Sequence, residues 1–347
     1  MEHLTDLDRG AGDNVFAATV RDYAHNLLLG TTLRRLDPRQ LRRLELVQCV
    51  LELASASKDP SVELSTTELR AGLATYLKQQ HGAVRAPRAP SGPFAENLRW
   101  LGELVGLSED ERAVLQLTML IDSDSDLHDL LASFGRVTTP TAAELIAAAL
   151  GIGPERVRRA LAPGGKLVAN RLLQVMSRML GMDEKFDPKH GLMDSLLTPG
   201  LNTGMLVSHL LTIAPPAPIG WEDVTHVEAQ ARTARDLLAG ALRSSRPGVN
   251  VLFYGITGAG KTALAHLLAQ DLGASLYIAG RGSDLDESCD ASDRLSSLML
   301  GHCLLRDGSA LMLFDELEDL FRWNWHGLHG ERARGEASIS KQWFNHL

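Results

Sequence analysis

The chain has 347 residues, of which 44% are apolar and 22% charged, and a formal net charge of −8. At roughly 100–200 residues per domain that length allows two or three cores, and the composition is that of an ordinary soluble globular protein. No apolar run approaches the ~18–20 residues of a membrane span, and the acidic balance excludes coating of nucleic acid by bulk charge while leaving local basic patches open. The start, Met1-Glu2-His3-Leu4-Thr5-Asp6, lacks the basic end and apolar stretch of a secretory signal. Cys49, Cys289 and Cys303 lie far apart, with no Cys-x-x-Cys pair. That usage suits a reduced compartment and gives neither a disulfide framework nor a zinc site. The expectation is a cytoplasmic protein with no membrane partner.

Residues 1 to about 213 read as helices joined by short turns. Asp37-Pro38 has the form of an N-cap followed by proline at the first helical position. Ser65-Thr66-Thr67-Glu68 and Ser108-Glu109-Asp110-Glu111 both have capping-box spacing. Behind the first, Leu69, Leu73, Tyr76 and Leu77 make one helix face; behind the second, Val114, Leu115, Leu117, Met119 and Leu120 predict a mostly buried helix. These stripes are core and receive no binding role. The segment from His81 to Pro93, with Pro87, Pro90 and Pro93, predicts an exposed connector, and Ala214 to Pro218 a second. The expected division is a helical subdomain at 1–80, a linker at 81–93, a second helical subdomain at 94–213, a linker at 214–220 and a further core at 221–347.

Within 94–213, Thr141 to Leu150, a turn at Gly151-Ile152-Gly153 and Pro154 to Leu161 form two short helices about a tight turn. Lys166 to Val175 follows as a candidate wing, so that 141–175 has a winged-helix-like pattern with Arg156, Arg158 and Arg159 on the second helix. Such modules also serve as protein adaptors, and arginine-rich faces are commonly just solvated. Arg34, Arg35, Arg39, Arg42 and Arg43 read as a solvated helix face. His302, His326 and His329 lack partners at metal-ligand spacing.

The chemistry lies further on. Val249 to Tyr254 is a β-branched and aromatic run that predicts a buried strand. Gly255-Ile256-Thr257-Gly258-Ala259-Gly260-Lys261-Thr262 follows directly, and a helix from Ala263 to Gln270 follows that. A G-x-x-x-x-G-K-[ST] pattern between strand and helix is a phosphate-binding loop. Its glycines allow a tight backbone turn, its N–H groups converge on phosphates, and the helix N-terminus adds roughly half a positive charge. Lys261 brings an ammonium to the β- and γ-phosphates, and the Thr262 hydroxyl ligates Mg²⁺. Gly255 to Ala263 are therefore the candidate ATP-binding residues. A glycine-rich turn without a ligand is the plain alternative.

Ser309 to Phe314 predicts an apolar strand ending in Asp315-Glu316. A carboxylate there is placed to hold a metal, so Asp315 is assigned to Mg²⁺ through water and Glu316 to polarising the attacking water. Two acids merely capping the helix from Leu317 to Phe321 would look the same. Ala274 to Ala279 predicts a further strand and Ala291 to Leu305 a helix, while the acidic stretch from Asp284 to Asp293 reads as a solvated loop.

Together these residues resemble the AAA+ ATPases. FYGITGAGKT is similar to that family's Walker A motif and LMLFDELEDLF to its Walker B motif, while Ile219-Gly220-Trp221-Glu222-Asp223-Val224 is similar to the linker before the ATPase core. The resemblance covers 218–347, and Glu96 to Leu101 is only loosely similar. It implies an α N-terminal region followed by an α/β P-loop domain, ATP and Mg²⁺ as ligands, and catalysis by Lys261 and Glu316. It also implies a homo-oligomeric ring that remodels a protein or complex.

Three departures stand out. Ile256-Thr257 replaces the family's Pro-Pro, and no aromatic-hydrophobic-glycine pore triplet is visible from Arg281 to Ser296. Trp323 and Trp325 could present aromatics instead or simply pack. Finally, the sensor-1 strand, arginine finger and helical lid are not found by Leu347, so the resemblance implies an incomplete domain with slow or no turnover. In this family the sensor-1 strand separates the Walker A and Walker B strands, so its absence would leave both facing edges unpaired. A nucleotide-binding interaction module without hydrolysis and, third, a DNA reader through 141–175 are the competing expectations.

Overall fold

A computed structural model describes residues 15–30, 75, 84–244, 246, 248–279, 291–305, 310–315 and 317. Outside it lie Glu316, Asp37-Pro38, the Ser65–Glu68 box with its whole stripe of Leu69, Leu73, Tyr76 and Leu77, the arginines from Arg34 to Arg43, the acidic loop up to Asp290, and Trp323, Trp325, His326 and His329. The chain divides into two compact units, one ending at Gly200 and the other beginning at Leu201.

The first unit is helical. Its described helices are α1 (Ala17–Gly30), α2 (Pro93–Val105), α3 (Glu109–Ser123), α4 (Ser125–Ala132), α5 (Thr139–Leu150), α6 (Pro154–Ala160), α7 (Lys166–Ala169), α8 (Met182–Lys185) and α9 (Leu192–Leu197). Ser108 caps α3 as its spacing predicts. The Glu111 N–H donates to Ser108 Oγ at 3.3 Å and the Ser108 N–H to Glu111 Oε2 at 2.8 Å. The other Glu111 oxygen accepts the Lys166 N–H at 2.8 Å, so one buried carboxylate satisfies N-terminal donors of both α3 and α7. Val114, Leu115, Leu117, Met119 and Leu120 are all buried, as expected of that stripe.

The proline-rich segment before α2 is exposed in most side chains but is not a loose connector. It runs along α1, where Asn26 Nδ2 donates to Arg85 O at 2.7 Å and the Arg85 N–H returns to Asn26 Oδ1 at 2.9 Å. Thr19 Oγ1 donates to Arg88 O at 2.7 Å, and Arg88 reaches Asp22 with Nε at 2.8 Å and Nη2 at 2.9 Å. A proline-rich segment has few N–H groups of its own, so the helix supplies the polar partners.

Burial acts to raise the Asp22 carboxyl, but the Arg88 side chain and backbone N–H outweigh it and hold it below the ordinary carboxylate range. A depressed carboxyl stabilises the fold above its unfolded pKa, and the contribution is lost as pH falls through the folded value. Asp22→Asn is therefore expected to melt earlier at neutral pH and to show a shallower loss of stability on acidification below about pH 4. Thermal melts across pH, followed by circular dichroism, check both.

The two-helix pattern at 141–161 is present as α5 and α6, joined through Gly151 in the left-handed region (φ 67°). The candidate wing is corrected: Lys166–Ala169 is a helical turn. The hairpin pairs β1 (Leu173–Val175) with β2 (Phe186–Pro188), antiparallel. A short helical turn before the first strand displaced the hairpin towards the C-terminus.

The second unit begins with α10 (Thr203–Leu210) and β3 (Leu211–Ile213), so the all-helical expectation up to 213 also fails there. A 3₁₀ segment (Trp221–Val227) leads into α11 (Glu228–Arg243), followed by α12 (Lys261–Asp271), β4 (Ser275–Ala279), α13 (Ala291–Leu304) and β5 (Ala310–Leu313). The sheet order is β3-β4-β5, with β3 antiparallel and β5 parallel to β4. Parallel pairing of β4 with β5 needs a crossover, and α13 supplies it.

Val249 to Tyr254 is not the buried strand that its composition predicts. It lies outside every described ladder, with Leu252 68% and Tyr254 90% exposed. Extended backbone becomes a strand only when neighbours accept its hydrogen bonds, and among the described residues none does. β5 likewise has one partner among the described strands, β4.

Candidate functional site

The glycine-rich loop leads into α12 through two left-handed glycines, Gly258 (φ 82°) and Gly260 (φ 78°). Gly260 is the N-cap of α12, a conformation in which a Cβ is strained and from which its carbonyl accepts the Leu264 N–H at 2.8 Å. Gly255 to Gly260 are exposed, Ile256 at 82%. The first-turn N–H groups of α12, those of Lys261, Thr262 and Ala263, have no partner within the helix and carry its positive dipole end.

Lys261 turns back over the loop. Its Nζ donates to Gly255 O at 3.1 Å and Ile256 O at 3.0 Å. An ammonium has three donors, so two hold the loop curled and one is left for an anion in the curl. From the helix N-terminus Thr262 Oγ1 donates to Asp315 Oδ2 at 2.9 Å. Thr262 and Asp315 are 53 residues apart in sequence, and β5 delivers Asp315 two positions beyond its last residue, Leu313. The two motifs expected to share a metal thus meet directly. A hydroxyl and a carboxylate are hard oxygen donors of the kind Mg²⁺ takes. Glu316 lies outside the described residues, one position further along.

Residues 251–345 match the family described as "ATPase family associated with various cellular activities (AAA)". That segment is an AAA+ ATPase module. A curated relative, the Holliday junction branch migration complex subunit RuvB of Desulfosudis oleivorans (strain DSM 6200 / JCM 39069 / Hxd3), is 37% identical over 90 residues. The match covers 26% of this chain, and the chain spans about a quarter (26%) of that relative's length. No solved structure matches.

Polar contacts that sequence reasoning did not single out tie the segment before the AAA+ match to the P-loop helix. The Ala214 N–H donates to Leu276 O at 2.8 Å, prolonging the β3–β4 ladder. Pro215 O and His266 Nδ1 lie 3.1 Å apart, and the Ala217 N–H donates to Gln270 Oε1 at 2.9 Å. Trp221 Nε1 donates to Asp271 Oδ1 at 3.1 Å, and Arg235 Nε to Asp271 Oδ2 at 2.8 Å, while the Arg232 guanidinium lies over the Trp221 ring at 4.6 Å. Arg235, with Trp221 behind it, holds the Asp271 carboxyl below the ordinary range. His266, Gln270 and Asp271 occupy the C-terminal half of α12, whose N-terminus carries Lys261 and Thr262. The expected linker at 214–220 is therefore docked along the AAA+ module. In the sequence, the proline-rich run Ala214 to Pro218 and the linker-like stretch Ile219 to Val224 marked this segment but not its docking.

Two of the three α6 arginines, Arg156 and Arg158, are paired with carboxylates. Arg156 forms a bidentate pair with Asp110, its Nε 2.7 Å from Oδ2. Arg158 pairs with Glu155 and lies 3.7 Å from Glu144. Guanidiniums already neutralised within the fold offer little counterion release to a phosphate backbone.

Proposed function

We propose that this chain binds Mg-ATP in the loop Gly255–Ala263 and that its AAA+ module turns ATP hydrolysis into remodelling of a protein or complex. The observation that carries the reading is the 2.9 Å hydrogen bond from Thr262 to Asp315, which brings the P-loop helix and the carboxylate after β5 to one point. Lys261 contacts the β- and γ-phosphates, Thr262 ligates the metal and Asp315 holds it through water; Glu316 polarises the attacking water. Mg²⁺, when bound, offsets charge on the transferred phosphoryl group. The relative's name as a subunit of a branch migration complex supports action within an assembly, as does the family expectation of a homo-oligomeric ring. For the helical unit a protein partner is the better reading, because Arg156 and Arg158 are paired with carboxylates.

Turnover by residues 1–347 alone is slow. The segment before the loop is largely exposed and, among the described residues, unpaired, so the described contacts that hold the loop are those of α12 and the Thr262–Asp315 pair. Transition-state stabilisation depends on donors that are already fixed in place. Phosphate release measured over many turnovers is therefore expected to stay near the level of Asp315→Asn and Glu316→Gln, while wild type still retains nucleotide. Sustained release that Glu316→Gln abolishes would contradict the slow-turnover statement. Failure to retain nucleotide would contradict the whole reading.

A further inference from the structure

Arg294, in the first turn of α13, grips the end of β5 in two ways. Its Nη1 donates to the backbone carbonyl of Asp315 at 3.2 Å, and its guanidinium lies over the Phe314 ring, 5.4 Å from the centroid. The same Asp315 accepts the Thr262 hydroxyl on its carboxylate. Asp315 is thus fixed from two sides, its main chain by α13 and its carboxylate by α12. The two constraints differ in what a metal would do to them. Thr262 is itself a metal ligand in the reading above, so its hydroxyl would serve the cation rather than Asp315 with Mg²⁺ bound. The two Arg294 contacts above, to the Asp315 carbonyl and the Phe314 ring, involve no metal-ligating atom.

We infer that Arg294 is a positioning residue that aims the Asp315 carboxylate at the metal, setting metal affinity without touching nucleotide or metal. A guanidinium can do this because one plane stacks on Phe314 while an N–H at its edge reaches the next carbonyl, a combination the point charge of lysine reproduces only in part. Removing it takes away both of these contacts between α13 and the Phe314–Asp315 segment. Partners that orient metal ligands in this indirect way are worth about 10–100-fold in metal affinity. The inference rests on the Mg-ATP reading and extends it to a residue on the crossover helix, which neither motif contains.

The test uses the full chain and two titrations. Binding of a fluorescent ADP analogue is measured without metal, and Mn²⁺ binding to the ADP-loaded chain by electron paramagnetic resonance. Arg294→Ala is expected to raise the Mn²⁺ dissociation constant about 10-fold and to leave metal-free ADP affinity within about twofold. Arg294→Lys recovers part of the loss, about threefold weaker than wild type, because it keeps a donor and a charge. Phe314→Leu keeps the apolar bulk and removes the ring, and it weakens Mn²⁺ in the same direction, so the inference stays testable if Arg294→Ala does not fold. Unchanged Mn²⁺ affinity in Arg294→Ala or Phe314→Leu, beside a wild type that binds ADP and Mn²⁺, overturns this inference alone. Metal-free ADP affinity falling in step with Mn²⁺ affinity also overturns it, since that marks a general loss of structure. A wild type that binds neither probe overturns the Mg-ATP reading together with it.

Discussion

Lys261→Ala lowers the affinity of the chain for Mg-ATP by about 100-fold, or about 2.7 kcal/mol. The figure follows from what the ammonium does. Hydrogen bonds to a charged acceptor are worth about 1.5–3 kcal/mol each, and Lys261 serves the β- and γ-phosphates together. It also holds the loop curled through Gly255 O and Ile256 O, so alanine removes both the ligand contact and part of the preformed shape. Exposure of the loop keeps the effect from being larger, because water screens the ammonium before ATP arrives. Displacement of a fluorescent nucleotide gives the number. A loss below about threefold would mean that Lys261 does not face the phosphates.

Leu300→Ala destabilises the second unit by about 3 kcal/mol, within the ~2–5 kcal/mol usual for emptying a buried leucine site. Leu300 is fully buried on α13, the helix that covers the sheet. The adjoining Gly301 shows how close that packing is. A Cβ there would meet Leu211 Cδ1 at 2.6 Å and Met312 Cε at 2.9 Å, one residue on β3 and the other on β5. With two strands that near the helix backbone, the site has little freedom to collapse around the lost methyl groups. The consequence reaches the functional site, because α13 also carries Arg294. Urea unfolding followed by circular dichroism tests the value, and a change under about 1 kcal/mol would show that α13 is not seated as described.

Local chemistry was legible in the sequence, and long-range pairing was not. The Ser108–Glu111 box, the buried stripe of α3, the helix after the P-loop, and β4, α13 and β5 each depend on residues within a turn or a short run. All were placed to within a few residues. The pattern that joins G-x-x-x-x-G-K-[ST] to Asp315 was readable because each half carries its own signature, and the 2.9 Å contact then joined them.

Val249 to Tyr254 shows the limit. Composition reports that a run suits a strand, but a strand exists only with a partner, and none of the described strands pairs with it. β3 escaped notice for the opposite reason. Leu211-Thr212-Ile213 is three residues at the end of a helix, too short for alternation to register, and it exists because Ala279, Ile278 and Tyr277 pair with it. The docking of 214–221 on α12 rests on His266, Gln270 and Asp271, three polar residues with no common motif. Arg294 was invisible for the same reason: one basic residue on a helix reads as solvated until the neighbouring carbonyl and ring are known.

Everything proposed for the second unit depends on Gly255–Ala263 and Asp315 together forming a Mg-ATP site. The decisive measurement is a calorimetric titration of residues 1–347 with ATP, in Mg²⁺ and again in excess chelator, beside Lys261→Ala. One site per chain is expected, tightened by Mg²⁺ and weakened about 100-fold in the variant. Absence of binding heat in wild type at several temperatures, or an affinity indifferent to both Mg²⁺ and Lys261, would contradict it.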